Sequence, residues 1–167
     1  MIDVPHISNF TDFDALAAEP DVAVRMVRDP ARLGGDRLPD ALILPGSKNT
    51  LGDLAWLRET GLASAVSACA ASGRCQVVGV CAGMQMLGDE VRDPLGLDTG
   101  LVWGSYLHGL FDADLFRRTW LDGLRLSRGL AALGRITPYD IEPALDRLAD
   151  VVERSLDMDA VSAMLRL

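Results

Sequence analysis

Strands alternating with helices predict an α/β fold for this chain: an open, mostly parallel sheet flanked by helices, with a helical C-terminal tail. Three observations carry that prediction. Ala41–Leu44 and Val77–Val80 are short continuous apolar runs, the pattern of strands buried on both faces. Each is followed by residues with helical patterning. Between the second run and its helix stands Gly79-Val80-Cys81-Ala82-Gly83, where glycines on either side of the cysteine let the backbone turn sharply without a Cβ clash.

Residues 1–21 are polar and turn-rich, and Ser8-Asn9-Phe10-Thr11-Asp12-Phe13-Asp14 predicts a loop leading to a short helix around Ala15. Val22–Val27 alternates and is rich in valine, which predicts a strand ended by Pro30 and Gly34-Gly35. Pro39-Asp40 introduces the strand at Ala41–Leu44, and Pro45-Gly46-Ser47-Lys48-Asn49-Thr50 is the loop at its carboxyl end. Helical patterning runs from Leu51 to Leu57 and from Leu62 to Ser72, where Gly73 stops it. Gln76–Val80 is the next strand, Ala82–Glu90 its helix, and Asp93-Pro94-Leu95-Gly96 a turn. Leu101–Leu107 predicts a strand that ends at His108-Gly109. Beyond Asp112 the pattern is helical almost to Leu167, interrupted near Gly123–Gly134 and at Thr137-Pro138. The chain reads as a single domain over 1–167, with a sheet-and-site part at 1–112 and a helical tail at 113–167.

A length of 167 residues, with 49% hydrophobic and 24% charged, suits one domain with a real core and argues against disorder. The net charge of −8 argues against nucleic acid or an anionic membrane as partner. Cys69, Cys75 and Cys81 have no paired spacing, so a reducing compartment without a disulfide framework is expected. With His6 and His108 as the two histidines, no zinc-site spacing is formed and no metal is expected. No apolar run approaches a membrane span and no signal-peptide pattern opens the sequence, which predicts a soluble, cytoplasmic protein.

Ligands of parallel sheets bind beyond the carboxyl ends of the strands. Three loops meet that rule here: Pro45–Thr50, Cys81–Gly83 and His108–Leu110. If the strands at Gln76–Val80 and Leu101–Leu107 are neighbours in a right-handed β-α-β unit, they lie about 5 Å apart. Cys81 and His108 then leave the sheet on one edge. Such a pair makes a thiolate nucleophile and a proton donor, and a helix N-terminus favours the thiolate. The Gly46 and Ala82 N–H groups would converge as an oxyanion hole. Packing readings stand beside these: a buried strand cysteine, a histidine bonded to backbone at a strand end, an ordinary Pro-Gly turn. Lys48 reads as a solvated lysine, since the loop lacks the Gly-Lys-Ser/Thr of a phosphate cradle. Cys69 and Cys75 read as packing residues and His6 as an exposed turn residue.

Taken in order, these motifs resemble a known family. Ile7–Asp14, Leu44–Thr50 with Asp53–Leu57, Gly79-Val80-Cys81, Gln85-Met86-Leu87-Gly88 and Tyr106–Asp112 are similar to the C-terminal glutamine amidotransferase domain of the cobyric acid synthase family, a class I domain with a flavodoxin-like sheet. Leu145–Asp150 in the tail also fits. The resemblance implies that Cys81 attacks the side-chain amide of L-glutamine and that His108 is its acid–base partner, with Gly46, Ala82 and Gln85 as oxyanion and substrate-binding residues. It implies no cofactor in this domain. ATP and Mg are expected only in an N-terminal synthetase half, absent from these residues. That half, as a domain or separate chain, would amidate the b, d, e and g carboxylates of a corrinoid acceptor, adenosylcobyrinic acid a,c-diamide, in cobalamin biosynthesis.

The sequence departs from the family pattern in places. Many class I amidotransferases carry a glutamate two residues after the histidine. Leu110 stands there, as in the cobyric-acid type, so another group must orient His108. Only residues 97–105 separate Gly96 from Tyr106, where the family has a substantial segment, so strands that build part of the glutamine pocket are expected to be missing. Ala82 and Met84 stand where glycine and an aromatic residue are usual. Two other readings stay open: a catalytically impaired remnant that serves as an α/β binding domain, and a Cys–His amidotransferase for a cell-wall lipid precursor. The Ser8–Asp14 and Ser47–Thr50 wording favours the cobyric-acid type over the latter.

Overall fold

Short strands buried on both faces organise the chain. The computed structural model describes residues 1–35, 38–88, 96–98 and 100–165, with backbone alone at 96–98. These divide into two compact units, Met1–Thr137 and Pro138–Leu167. In the first unit β1 (Ala41–Leu44), β2 (Gln76–Val80), β3 (Gly96–Asp98) and β4 (Val102–Ser105) form a sheet of order β1-β2-β4-β3. β1, β2 and β4 are parallel, with Leu44 opposite Gly79 and Val80 opposite Ser105, while β3 runs antiparallel to β4. The expected open, mostly parallel sheet is present, and the strands that end at Val80 and Ser105 are neighbours.

The helices of this unit are α1 (Asp14–Ala17), α2 (Thr50–Glu59), α3 (Leu62–Ala71), α4 (Ala82–Leu87) and α5 (Asp114–Ser127). Asn49 starts α2 by accepting the Gly52 N–H at 3.1 Å. On one side of the sheet Leu42, Leu44 and Val77 pack with Leu57 of α2 and Leu62 and Val66 of α3, all buried. Each such side chain contributes about 1.5–3 kcal/mol of burial free energy. On the other side Trp103 meets Trp120 of α5 edge-on at 6.1 Å, and Phe111 lies 5.0 Å from Trp120. Both indole N–H groups donate to Gln76 Oε1, at 3.2 and 2.8 Å, so neither is stranded in the core.

Arg117 of α5 is 1% exposed. Its guanidinium donates to Glu19 Oε1 (2.8 Å), the Phe111 carbonyl (2.6 Å) and Asp114 Oδ1 (2.8 Å). Burial alone would depress it, yet the bonds to Glu19 and Asp114 raise its pKa. Through this one side chain the segment after α1 is tied to the segment after His108.

The second unit carries α6 (Glu142–Ser155) and α7 (Met158–Leu165). Leu145, Leu148 and Val152 recur at helical spacing along α6, and all three are exposed. No helix among the described residues is long and apolar enough to cross a membrane.

Several element expectations change. Val22–Val27 is not a strand: Val27 alone makes a bridge, parallel to Ile2, and Val24 and Met26 are exposed. The first residues take that place instead. Ile2 N–H donates to the Ile43 carbonyl (2.9 Å), Val27 N–H to Met1 (2.9 Å) and Asp3 N–H to Val27 (3.0 Å). Met1–Asp3 thus lies between β1 and Val27, and residues 22–26 have no strand to pair with. The strand expected at Leu101–Leu107 is confined to Val102–Ser105, because Ser105 Oγ accepts the Leu107 N–H (3.0 Å) and turns the chain out of the sheet. α5 continues through Gly123 to Ser127, so the interruption expected from Gly123 starts later. α5 also belongs to the first compact unit, whose boundary falls at Thr137, 25 residues past the expected limit of the sheet-and-site part at 112. The helix expected over Ala82–Glu90 is seen over Ala82–Leu87; residues 89–90 and the Asp93–Leu95 turn lie outside the described residues.

Candidate active site

Cys81 sits on the turn between β2 and α4 with φ 53° and ψ −114°, a backbone conformation that L side chains rarely adopt. Holding it costs about 1–3 kcal/mol, which the surrounding structure must impose. Its glycine neighbours do so by close packing. A Cβ on Gly79 would lie 2.6 Å from Met84 N and Cα, and one on Gly83 would run into the Leu44 and Pro45 carbonyl oxygens. The first turn of α4 is therefore pressed against the end of β1. Cys81 N–H donates to the Ser105 carbonyl at 2.8 Å, and the Met84 and Gln85 N–H groups return to the Cys81 carbonyl. This is the geometry of a nucleophile elbow, with sulfur in place of the serine oxygen.

His108 lies three residues past Ser105, the β4 residue whose carbonyl holds the Cys81 N–H. A Cβ built on Gly46 would come within 3.7 Å of the His108 Cε1 and 2.9 Å of Ser8 Oγ. Gly46 itself is buried, and its carbonyl accepts the Ser8 N–H at 2.9 Å. Neither the Gly46 nor the Ala82 N–H has an acceptor among the described residues. The loops after β1, β2 and β4 thus meet at one sheet edge, as the topology predicted. Gln85 is exposed, its Nε2 at 3.4 Å from the Tyr106 hydroxyl. No group of three His, Cys, Asp or Glu side chains is placed to hold a metal among the described residues.

The group against His108 was not identified by sequence reasoning. Asp12 Oδ2 lies 2.6 Å from His108 Nδ1, and Asp12 Oδ1 accepts the Gly109 N–H at 3.1 Å. Asn9, left-handed at φ 50°, brings its side-chain amide within 3.0 Å of the same ring nitrogen. His108 Nε2 has no partner among the described residues. The one local sign was an acid set between Phe10 and Phe13 in a polar turn.

His6 is exposed, as expected, yet engaged. Its Nδ1 is 2.8 Å from Asp53 Oδ1, and Ser47 Oγ donates to Asp53 Oδ2 at 2.6 Å. Lys48 is solvated. Cys69 and Cys75 are fully buried in the core, and burial pushes the Cys75 thiol up to about 12 and raises that of Cys69. Cys81 is the partly exposed thiol.

Comparison with known proteins agrees with this geometry. Residues 1–101 match the model of the CobB/CobQ-like glutamine amidotransferase domain. The chain is 36% identical to cobyric acid synthase of Nitratidesulfovibrio vulgaris, with all of the chain and 50% of the relative covered. It is 35% identical to cobyric acid synthase of Klebsiella pneumoniae strain 342, covering 99% of the chain and 48% of the relative. It is 33% identical to the adenosylcobalamin biosynthesis bifunctional protein CobDQ of Leptospira interrogans, covering 96% of the chain and 27% of that protein. The chain spans about half the length of the cobyric acid synthases it matches. The first match extends over 274 positions although the chain has 167 residues, so stretches of that relative have no counterpart here. By sequence and by the turn that carries Cys81, the chain belongs to the CobB/CobQ-like glutamine amidotransferase domain family.

Proposed function

We propose that this chain is the glutamine-hydrolysing module of a cobyric acid synthase, releasing ammonia from L-glutamine for an ATP-dependent amidation performed elsewhere. One observation carries the proposal: Cys81 is held at φ 53° on a turn locked by Gly79 and Gly83, at the same sheet edge as His108 and Gly46.

In this reading His108 takes the thiol proton, and the Cys81 thiolate attacks the amide carbon of glutamine. The carbonyl oxygen gains negative charge, and the Gly46 and Ala82 N–H groups, which have no other acceptor, donate to it. The C–N bond breaks as His108 returns its proton to the leaving nitrogen, giving ammonia and a glutamyl thioester. Water then gives a proton to His108 and adds to the thioester carbon. The C–S bond breaks, glutamate leaves, and the thiol is restored. In this reading Gln85, exposed beside Tyr106, meets the α-amino or α-carboxyl end of the substrate.

The ammonia acceptor in this reading is a corrinoid bearing the b, d, e and g carboxylates, activated with ATP and Mg by a synthetase domain or chain. Support for the corrinoid comes from the names of the relatives. The test is ammonia release from glutamine by the purified chain, alone and with an added synthetase part, against a Cys81→Ser variant. Equal release by both, or none under either condition, rejects the proposal and leaves the binding-domain reading.

A further inference from the structure

We propose that Asp12 is the positioning residue of this site: it fixes the tautomer and orientation of His108, the part that Leu110 cannot play. The inference rests on the reading of Cys81 and His108 given above.

The geometry is specific. Asp12 is 8% exposed, and both its oxygens are used: Oδ2 on His108 Nδ1 at 2.6 Å, Oδ1 on the Gly109 N–H at 3.1 Å. The carboxylate therefore grips the ring and the backbone that follows it. An ionised carboxylate only accepts, so Nδ1 carries the proton and the Nε2 lone pair remains for the thiol. Asn9 Nδ2 is placed 3.0 Å from the same Nδ1, where two donors would face each other; a protonated Nδ1 requires the amide turned end for end so that its oxygen accepts.

Asp12 is itself held on both sides. Its N–H donates to the Asn9 carbonyl at 3.0 Å. Phe13, next in the chain, lies 6.3 Å from Phe111. Arg117 joins Glu19, beyond α1, to the Phe111 carbonyl, three residues past His108. The acid and the imidazole are thus delivered by two segments clamped to one buried guanidinium.

The other charged groups close by are Asp112, whose carboxyl is pushed up by burial and then by Asp12, Arg117, which acts on it the other way, and Asp14.

The chain has two histidines, so ring-nitrogen NMR of the 15N-histidine protein reads His108 directly, with His6 on Asp53 as an internal control of the fold. In the wild type His108 is expected as the Nδ1–H tautomer. In Asp12→Asn the asparagine amide donates to Nδ1 and the proton moves to Nε2. Glutamine turnover is expected to drop about a hundredfold in kcat with KM little changed. An Asp12→Asn variant with unchanged His6 signals and a wild-type His108 tautomer overturns the proposal. Should that variant not fold, Asp12→Ala decides: loss of the pure Nδ1–H tautomer with His6 signals unchanged supports it, and a pure Nδ1–H tautomer overturns it. A wild type that turns over no glutamine rejects the functional reading only, because the tautomer is read without turnover.

Discussion

Ser47 donates its hydroxyl to Asp53 at 2.6 Å, and Asp53 is wholly buried in the first turn of α2. The same hydroxyl accepts the Asn49 N–H at 2.9 Å, while Asp53 also receives the His6 backbone N–H at 3.3 Å. The loop bearing Gly46 is therefore pinned from behind by the Asp53 carboxylate. Ser47→Ala removes one charge-assisted bond and is expected to cost about 1.5–3 kcal/mol, read by urea unfolding. Glutamine turnover should fall, because the Gly46 donor loosens. The rate at which iodoacetamide alkylates Cys81 should not change, since that reaction needs no oxyanion hole. A parallel fall in both rates would mean that the loop acts on the thiol itself.

A second prediction concerns the clamp. Glu19 is 3% exposed and bonds Arg117 and Arg118, at 2.8 and 3.3 Å. Glu19→Ala leaves buried guanidinium charge without its main counter-charge, at an expected cost of about 3–5 kcal/mol. Equilibrium unfolding measures it. Glu19→Leu with Arg117→Met should recover most of that loss, since an apolar pair needs no desolvated charges.

Asp21 gives a pH dependence of known sign. Arg118 donates to both its oxygens, at 3.0 and 3.2 Å, and these bonds hold its carboxyl below the usual value despite some burial. A depressed folded-state pKa adds stability that is complete above the unfolded pKa of about 3.9 and is lost as pH falls through the folded value. Asp21→Asn should thus lie below the wild type in thermal midpoint at pH 6, and the gap should narrow as the pH falls below about 3.9. A gap that does not narrow there would trace to packing instead of charge.

The parts of this site that could be read in sequence are those whose causes are local. Gly79, Cys81 and Gly83 meet α4 and the β1 end within a few residues of each other, so the spacing itself carries the turn. The apolar runs at Ala41–Leu44 and Val77–Val80 are buried as continuous runs should be. What escaped is set by distant partners. Asp12 and His108 are 96 residues apart, and an acid between two phenylalanines in a polar turn does not say which distant group it meets. Arg117 and Arg118 are buried against Glu19 and Asp21, 98 and 97 residues away, and no local pattern announces those partners. Val22–Val27 has strand composition, but the place beside β1 goes to Met1–Asp3, a competition that composition cannot rank.

Thiol chemistry separates the three cysteines. Cys69 and Cys75 are wholly buried, and burial raises both thiols, Cys75 to about 12, so thiolate is scarce and no reagent reaches it. Cys81 is partly exposed at the N-terminus of α4, on a backbone that holds it out from the sheet. One equivalent of iodoacetamide at pH 7.5 should modify Cys81 alone, and in guanidinium chloride all three should react, as peptide mass spectrometry will show. A glutamine-derived chloroketone should select Cys81 more sharply, because its amino-acid end must also dock. Excess L-glutamine should slow that labelling, whereas iodoacetamide, which needs no docking, should be slowed less. Labelling of Cys81 that glutamine fails to protect would mean a reactive thiol without a glutamine pocket. The stretches of the N. vulgaris relative without a counterpart here make that outcome the one to look for first.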